Sequence, residues 1–301
     1  MASSQRIGFI GVGMMGHGMA KNLVTKGFSV TVLGHRNRAP VEDLVKLGAK
    51  EGKNPADLAR NCDIVFICVT GSPQVEETVY KKDGLLEGAR DGLIVVDTST
   101  SEPDTTLKIA ADLKARGTTL VDAPLARTPK EAEEGRLNVM VGADPAVFAK
   151  IEPVLKAFAE NIFHVGPLGA GHKLKLINNF LAMGQAALIA EAMAMAAKVG
   201  VDLDAFVKVV GAGGVNSGIF QMMAPPALKG DLATFKFGLS NGQKDLRYYT
   251  HMAESAGFPA FLGEMVHQIF VQASLAGFGD KFVPSLLEMQ EKVNGVKIVR
   301  R

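Results

Sequence analysis

Ile7-Gly8-Phe9-Ile10-Gly11-Val12-Gly13-Met14-Met15-Gly16 decides how the first half of the chain is read. A short apolar run, Ile7 to Ile10, meets Gly11, Gly13 and Gly16 in the GxGxxG spacing. Met19, Ala20, Leu23 and Val24 then keep helical spacing as far as Gly27, which suits a helix stop. Val30 to Leu33 is a second apolar run. The glycines therefore stand between a strand and a helix in one βαβ unit of about thirty residues, the context that gives the motif meaning. Gly11 permits the tight turn, Gly13 lets backbone approach a pyrophosphate, and Gly16 lets helix pack on strand. The phosphates would meet the free amides of a helix N-terminus. Val12, Met14 and Met15 belong to the same turn, and the two methionines are expected to pack over a dinucleotide.

The end of the second strand selects between dinucleotides, because an acid there holds a ribose 2′-hydroxyl. Here the sequence is Gly34-His35-Arg36-Asn37-Arg38. The missing carboxylate and the basic His35, Arg36 and Arg38 favour a 2′-phosphate, hence NADP over NAD. The other reading is a solvated basic turn, with an acid from elsewhere on the ribose.

Working outward, 63–69 (DIVFICV), 93–96, 118–122, 139–141 and 162–165 read as further strands, with helical patterns between most of them. Such alternation predicts an α/β doubly wound, Rossmann-type sheet. Ligands bind beyond the carboxyl ends of its strands, where Val69-Thr70, 97–100 (DTST) and 122–128 (DAPLART) fall. From Gly166 the strand patterns stop. Amphipathic segments at about 171–199, 203–211, 239–256, 260–276 and 282–294 predict an all-α second domain. The expected division is 1–165, dinucleotide-binding, and 166–301, substrate and oligomerisation. Gly211 to Gly218 is expected to be an interhelical turn.

Gly169 to Asn179, GAGHKLKLINN, opens the long apolar segment. On a helix Lys175, Asn178 and Asn179 share one face. An ammonium and two carboxamides can orient a small polar substrate and move a proton. The plainer reading is a helix start with a solvated lysine.

Composition narrows the function classes. A net charge of +2, and basic residues neither clustered nor interleaved with aromatics, argue against nucleic acid and anionic membranes. Phe180 to Val199 is broken by Gln185, Glu191 and Lys198, which predicts a buried helix rather than a membrane span. Cys62 and Cys68 lack the spacing and partners of a redox pair or zinc site. They read as core residues of a reduced, cytoplasmic protein, and the N-terminus lacks a signal-peptide plan. No metal-ligand cluster is expected.

Four stretches in order, GFIGVGMMG at 8–16, DTSTSEP at 97–103, DAPLARTPKEAEEGRL at 122–137 and GAGHKLKLINN at 169–179, resemble the β-hydroxyacid dehydrogenase family over the whole chain. Lys244-Asp245-Leu246 resembles that family's late K-D-L. The resemblance implies a 6-phosphogluconate dehydrogenase-like architecture and reversible oxidation of a short 3-hydroxy acid to its semialdehyde. It implies Lys175 as the proton donor and acceptor, Asn179 as its assistant and Asn178 in substrate binding. It places Thr100 near the nicotinamide end and Lys244 near substrate and cofactor. Burial or a cationic neighbour such as Arg127 or Lys244 would suit Lys175 to proton transfer near neutral pH.

One loop departs from the family. The common D-x-P-V-S-G-G becomes Asp122-Ala123-Pro124-Leu125-Ala126-Arg127-Thr128. Ala126 replaces the serine, and Arg127-Thr128 replaces the glycine pair, as in the sulfolactaldehyde reductases that this loop resembles. A sulfonate-bearing aldehyde is therefore an alternative substrate. Otherwise Arg127 grips an ordinary carboxylate, or ion-pairs with Glu131 or Glu134 and leaves the pocket. His17 could touch phosphate, or lie on a solvated turn. An imine reductase and a non-catalytic dinucleotide-binding protein are further alternatives, and Lys175 disfavours both. A homodimer or homotetramer is expected from the apolar helices together with the resemblance.

Overall fold

The computed structural model describes residues 5–34 and 37–300. The chain divides into two compact units, Met1–Lys175 and Leu176–Arg301. Sequence character changes at Gly166, whereas the division falls after the first turns of a helix, Ala170–Lys198, because those turns pack with the first unit.

In the first unit six strands run parallel: β1 (Arg6–Ile10), β2 (Ser29–Val32), β3 (Lys50–Glu51), β4 (Ile64–Ile67), β5 (Ile94–Asp97) and β6 (Thr119–Asp122). Their order is β3-β2-β1-β4-β5-β6, so the order reverses between β1 and β4. That reversal opens a crevice at the strands' carboxyl ends. β7 (Leu125–Ala126), β8 (Leu137–Gly142) and β9 (Ala159–Gly166) extend the sheet. β8 runs antiparallel to both β6 and β7, and β9 runs parallel to β8. The sheet is thus parallel-dominated rather than wholly parallel.

Strand alternation explains the two-sided burial. Ile7, Phe9, Ile64, Phe66, Ile94, Val96 and Val121 face one core. Ile10, Val65, Ile67, Val95 and Leu120 face the other. With period-two side chains and helices on both faces, near-continuous apolar runs follow. Phe66 stacks on Phe9 and meets Phe158 edge-on, each with ring centroids 5.7 Å apart. The surrounding helices start where local chemistry dictates. Asn54 and Asp144 accept backbone amides of Asp57 and Ala146, each followed by proline at the first helical position.

The second unit is helical among its described residues, with helices Leu203–Ala212, Gly218–Ala227, Leu239–Ser255, Phe261–Ala273 and Leu286–Asn294 beside the long one. Gly211 to Gly218 lies between the first two of these. Gly218–Ala227 is capped by Ser217, and Pro225-Pro226 sit in its last turn. Ala170–Lys198 is long and apolar enough to cross a membrane by length and composition. Its Met183, Ala186, Ala190, Met193 and Ala194 instead pack into the core of this unit.

Gly11 is the backbone hinge of the first turn, at φ +95°, and a Cβ there would collide with the Cys68 carbonyl. Gly11→Ala should therefore cost roughly 2–4 kcal/mol in denaturant unfolding. Wild-type stability in that variant would refute the tight packing of β1 against the end of β4.

Candidate active site

Four parallel strands end at one edge, each followed by residues capable of contacting a ligand. They are Gly11 to Gly16 after β1, Cys68 to Thr70 after β4, Thr98 to Ser101 after β5, and Ala123-Pro124 after β6. Helix Gly16–Thr25 begins at the first of these turns. A helix N-terminus suits a phosphate, although the His17 amide is already engaged by the Gly13 carbonyl at 2.9 Å. Nothing lies within 4 Å of a Cβ built on Gly13, so open space faces that backbone. A Cβ on Gly16 would collide with the Gly11 carbonyl. This cradle fits the pyrophosphate of a dinucleotide. Val12 is buried, Met15 packs against the core, and Met14 is 66% exposed beside the open turn.

The second-strand turn is described in part, since His35 and Arg36 lie outside the described residues. Arg38 is described. Its guanidinium covers Gly34 and donates from both terminal nitrogens to Glu51 on β3, at 2.7 and 2.8 Å. A cation and an acid thus meet at the carboxyl end of β2. The Glu51 pairing holds the Arg38 guanidinium above its ordinary pKa. Thr70 is exposed and Val69 half-buried, with the Val69 amide donating to Ser99 Oγ at 3.0 Å.

At the ends of β5 and β6 two buried aspartates pair in register, Asp97 and Asp122. Asp97 accepts from the Ser99 amide at 2.9 Å and from the Ser101 hydroxyl at 3.0 Å, shaping the loop that carries Thr100. Asp122 accepts the amides of Gly169 and His172 at 2.7 Å each. A buried carboxylate thereby caps the helix that carries Lys175. Burial pushes the Asp122 carboxyl upward from its ordinary pKa, while the electrostatic influence of His172 and the two amide hydrogen bonds pull it back. Neither aspartate stood among the expected site residues; the D-x-P spacing was the available signal for Asp122. His172, beside the lysine on the helix and so a candidate to line the pocket, is fully buried.

Lys175 is buried, at 8% exposure. Asn178 and Asn179 follow on the same helical face. Within the second unit Asn178 donates to Asn179 Oδ1 at 3.2 Å, and Asn179 Nδ2 donates to Asp245 Oδ2 at 2.6 Å. Lys244 Nζ stands 2.8 Å from Asp245 Oδ1 and 4.8 Å from the Tyr248 ring centroid. Asp245, which was read only as part of the K-D-L match, is the hub joining the carboxamides to Lys244.

In the substrate loop Arg127 has an acidic partner other than the two near it in sequence. Arg127 takes a left-handed φ of +82° and pairs with Glu160 on β9, also donating to the Arg136 carbonyl. Its acid is therefore Glu160, not Glu131 or Glu134. Thr128 opens helix Pro129–Glu133, with amide and hydroxyl both engaged by Glu131. Ala126, half-buried, ends β7. His17 bridges Glu133 and Asp43, at 2.6 and 2.9 Å. Burial pushes the Cys62 and Cys68 thiols up to about 11.

Comparison with known proteins agrees with this architecture. Residues 6–166 match the family described as the NAD binding domain of 6-phosphogluconate dehydrogenase. Residues 169–288 match the NAD-binding family of NADP-dependent 3-hydroxyisobutyrate dehydrogenase. The chain is 33% identical to 2-(hydroxymethyl)glutarate dehydrogenase of Eubacterium barkeri, over 99% of each chain. It is 31% identical to 3-sulfolactaldehyde reductase of Escherichia coli K12, over 94% of each. The crystal structure of 3-hydroxyisobutyrate dehydrogenase from Salmonella typhimurium superimposes with TM-score 0.83 at 29% identity, covering 95% of this chain and all of that one. The protein belongs to the β-hydroxyacid dehydrogenase family. It is thereby an oxidoreductase of the NAD(P)-dependent hydroxyacid dehydrogenase and semialdehyde reductase class.

Because a Cβ at Gly13 meets no protein atom, Gly13→Ala tests the cradle without disturbing the fold. Thermal unfolding should stay within about 2 °C of wild type, and NAD(P)H affinity should fall at least about tenfold. Unchanged affinity in a folded variant would place the pyrophosphate elsewhere.

Proposed function

We propose that this protein interconverts a short 3-hydroxy acid and its semialdehyde with NADP as the preferred cofactor. The observation that carries this reading is the buried Lys175 at the head of a helix whose next turn presents Asn178 and Asn179. A bound nicotinamide supplies or takes the hydride. The protein must then move one proton at the hydroxyl oxygen. In reduction Lys175 Nζ donates it to the oxygen that receives the carbonyl electron pair; in oxidation the neutral amine takes it back. Asn179, held by Asp245, and Asn178 orient the substrate. Thr100 serves the nicotinamide end, and Lys244 approaches substrate and cofactor. The presence of Lys175 speaks against a non-catalytic protein and against an imine reductase.

The NADP preference rests on the absence of an acid directly after β2 and on the Arg38 guanidinium over Gly34. Glu51 supplies the opposing charge, so Glu51→Gln should strengthen the preference.

A sulfonated aldehyde is the second reading. Arg127-Thr128 in place of a glycine pair favours it, and the 31% relative carries that substrate in its name. The pairing of Arg127 with Glu160 favours the first reading, because a guanidinium already neutralised attracts a free anion less.

We also propose a homo-oligomer. Leu181, Leu188 and Met195, seven residues apart on one helix, are 57%, 69% and 60% exposed. A repeating apolar stripe of this kind is what a second copy would cover. Light scattering should show a dimer or larger species, dissociated by Leu188→Glu; a monomeric wild type would overturn the proposal.

The substrate test is NADPH and NADH oxidation with succinic, tartronic and methylmalonic semialdehydes and with sulfolactaldehyde, for wild type and Arg127→Ala. The expected result is turnover of a carboxylate semialdehyde, with kcat/KM for NADPH at least about tenfold above that for NADH. Sulfolactaldehyde turnover that vanishes in Arg127→Ala would establish the second reading. Silence across the panel would refute both.

A further inference from the structure

His172 has no exposed surface, lies three residues before Lys175, and is unused by the chemistry above. Its ring is not packed as a plain core residue. Nε2 lies 3.2 Å from the Ser99 carbonyl oxygen, and Nδ1 lies 2.8 Å from Thr106 Oγ1. The Ser99 carbonyl belongs to the peptide bond that leads into Thr100. Asp97 Oδ2 stands 3.8 Å from Nε2, and Asp122 Oδ2 4.0 Å from Nδ1.

Donor and acceptor counting fixes how the ring is held. A carbonyl only accepts, so Nε2 carries a hydrogen and donates it to Ser99. Thr106 Oγ1 has one hydrogen and two prospective acceptors, Nδ1 and the Glu102 carbonyl at 3.1 Å. If the hydrogen goes to Nδ1, the ring is neutral. If it goes to Glu102, Nδ1–H donates to Oγ1 and the ring is charged, flanked by the two aspartates. Both forms keep both contacts. Burying such a ring costs desolvation that leucine or phenylalanine would avoid.

We propose that His172 is a positioning residue, tying the peptide that carries Thr100 to the helical turn that carries Lys175. Through it the nicotinamide-side loop and the proton-transfer lysine are set in one frame, alongside the Asp122 cap. This deepens the reading of Lys175 and Thr100 as site residues and rests on it. A glutamine at 172 has an N–H for Ser99 and an oxygen for Thr106; a leucine has neither.

The test uses full-length His172→Leu, His172→Gln, Thr106→Val and Lys175→Met. NADPH affinity, kcat, KM and the deuterium isotope effect from 4-deuterated NADPH would be measured with the aldehyde turned over fastest. His172→Leu should lose about 30- to 100-fold in kcat, as displacements near 1 Å do. Its KM and NADPH affinity should stay within about threefold, with the isotope effect raised as hydride transfer becomes limiting. His172→Gln should recover to within about fivefold of wild type, and Thr106→Val should lose about three- to tenfold. Wild-type kcat in His172→Leu, or equal losses in the leucine and glutamine variants, would overturn the proposal. If His172→Leu does not fold, an unchanged kcat in Thr106→Val would do so. Wild-type turnover in Lys175→Met would instead overturn the site reading beneath it.

Discussion

The buried carboxylate of Asp122 is the constraint on which the candidate site depends. It ends a parallel strand and accepts the first free amides of the helix that carries Lys175. Such a cap satisfies donors that a helix start cannot satisfy itself and places negative charge at the positive end of the dipole. Glycines make room for it. A Cβ on Gly142 would strike the carboxylate, and one on Gly171 would strike the Met140 carbonyl. Gly171 of the GAGH stretch is thus a packing requirement beside the carboxylate, where a Cβ would also come within 2.9 Å of Asp122 Oδ2. Asp97, its neighbour in register, performs the matching task for the loop carrying Thr100.

From these two aspartates the chemistry takes its order. The sheet supplies parallel strand ends, and the strand ends supply loops. One loop is held by Asp97, while one helix start is held by Asp122. In the second unit Asp245 plays a comparable part, gathering Asn179 and Lys244. Burial of each acid costs desolvation, offset by hydrogen bonds from amides or a carboxamide and, at Asp245, by an ion pair with the Lys244 ammonium. Side chains so held lose little further freedom when a ligand arrives.

Legibility in the sequence followed the range of the interactions involved. The GVGMMG turn was readable because strand, glycines and helix are contiguous. The long helix, with Lys175, Asn178 and Asn179 on one face, was readable from its period. β3 and β7, two residues each, are too short for any period to show. Helix Gly218–Ala227 falls outside the segments expected to be helical; it is only 10 residues long and carries Pro225-Pro226 in its last turn. The Arg127 partner was misjudged because Glu160 lies on a distant strand, whereas Glu131 and Glu134 were merely near in sequence. His172 likewise makes its polar contacts far along the chain, at Ser99 and Thr106.

Proton transfer through Lys175 is the central claim, and single-turnover hydride transfer tests it most directly. Wild type and Lys175→Met, each preloaded with NADPH, would be mixed with a saturating semialdehyde and the loss of NADPH followed. The mutant rate should fall by about a thousandfold, with NADPH affinity unchanged. A mutant rate within about threefold of wild type would mean that the proton comes from elsewhere, and the role given to the head of this helix would be wrong.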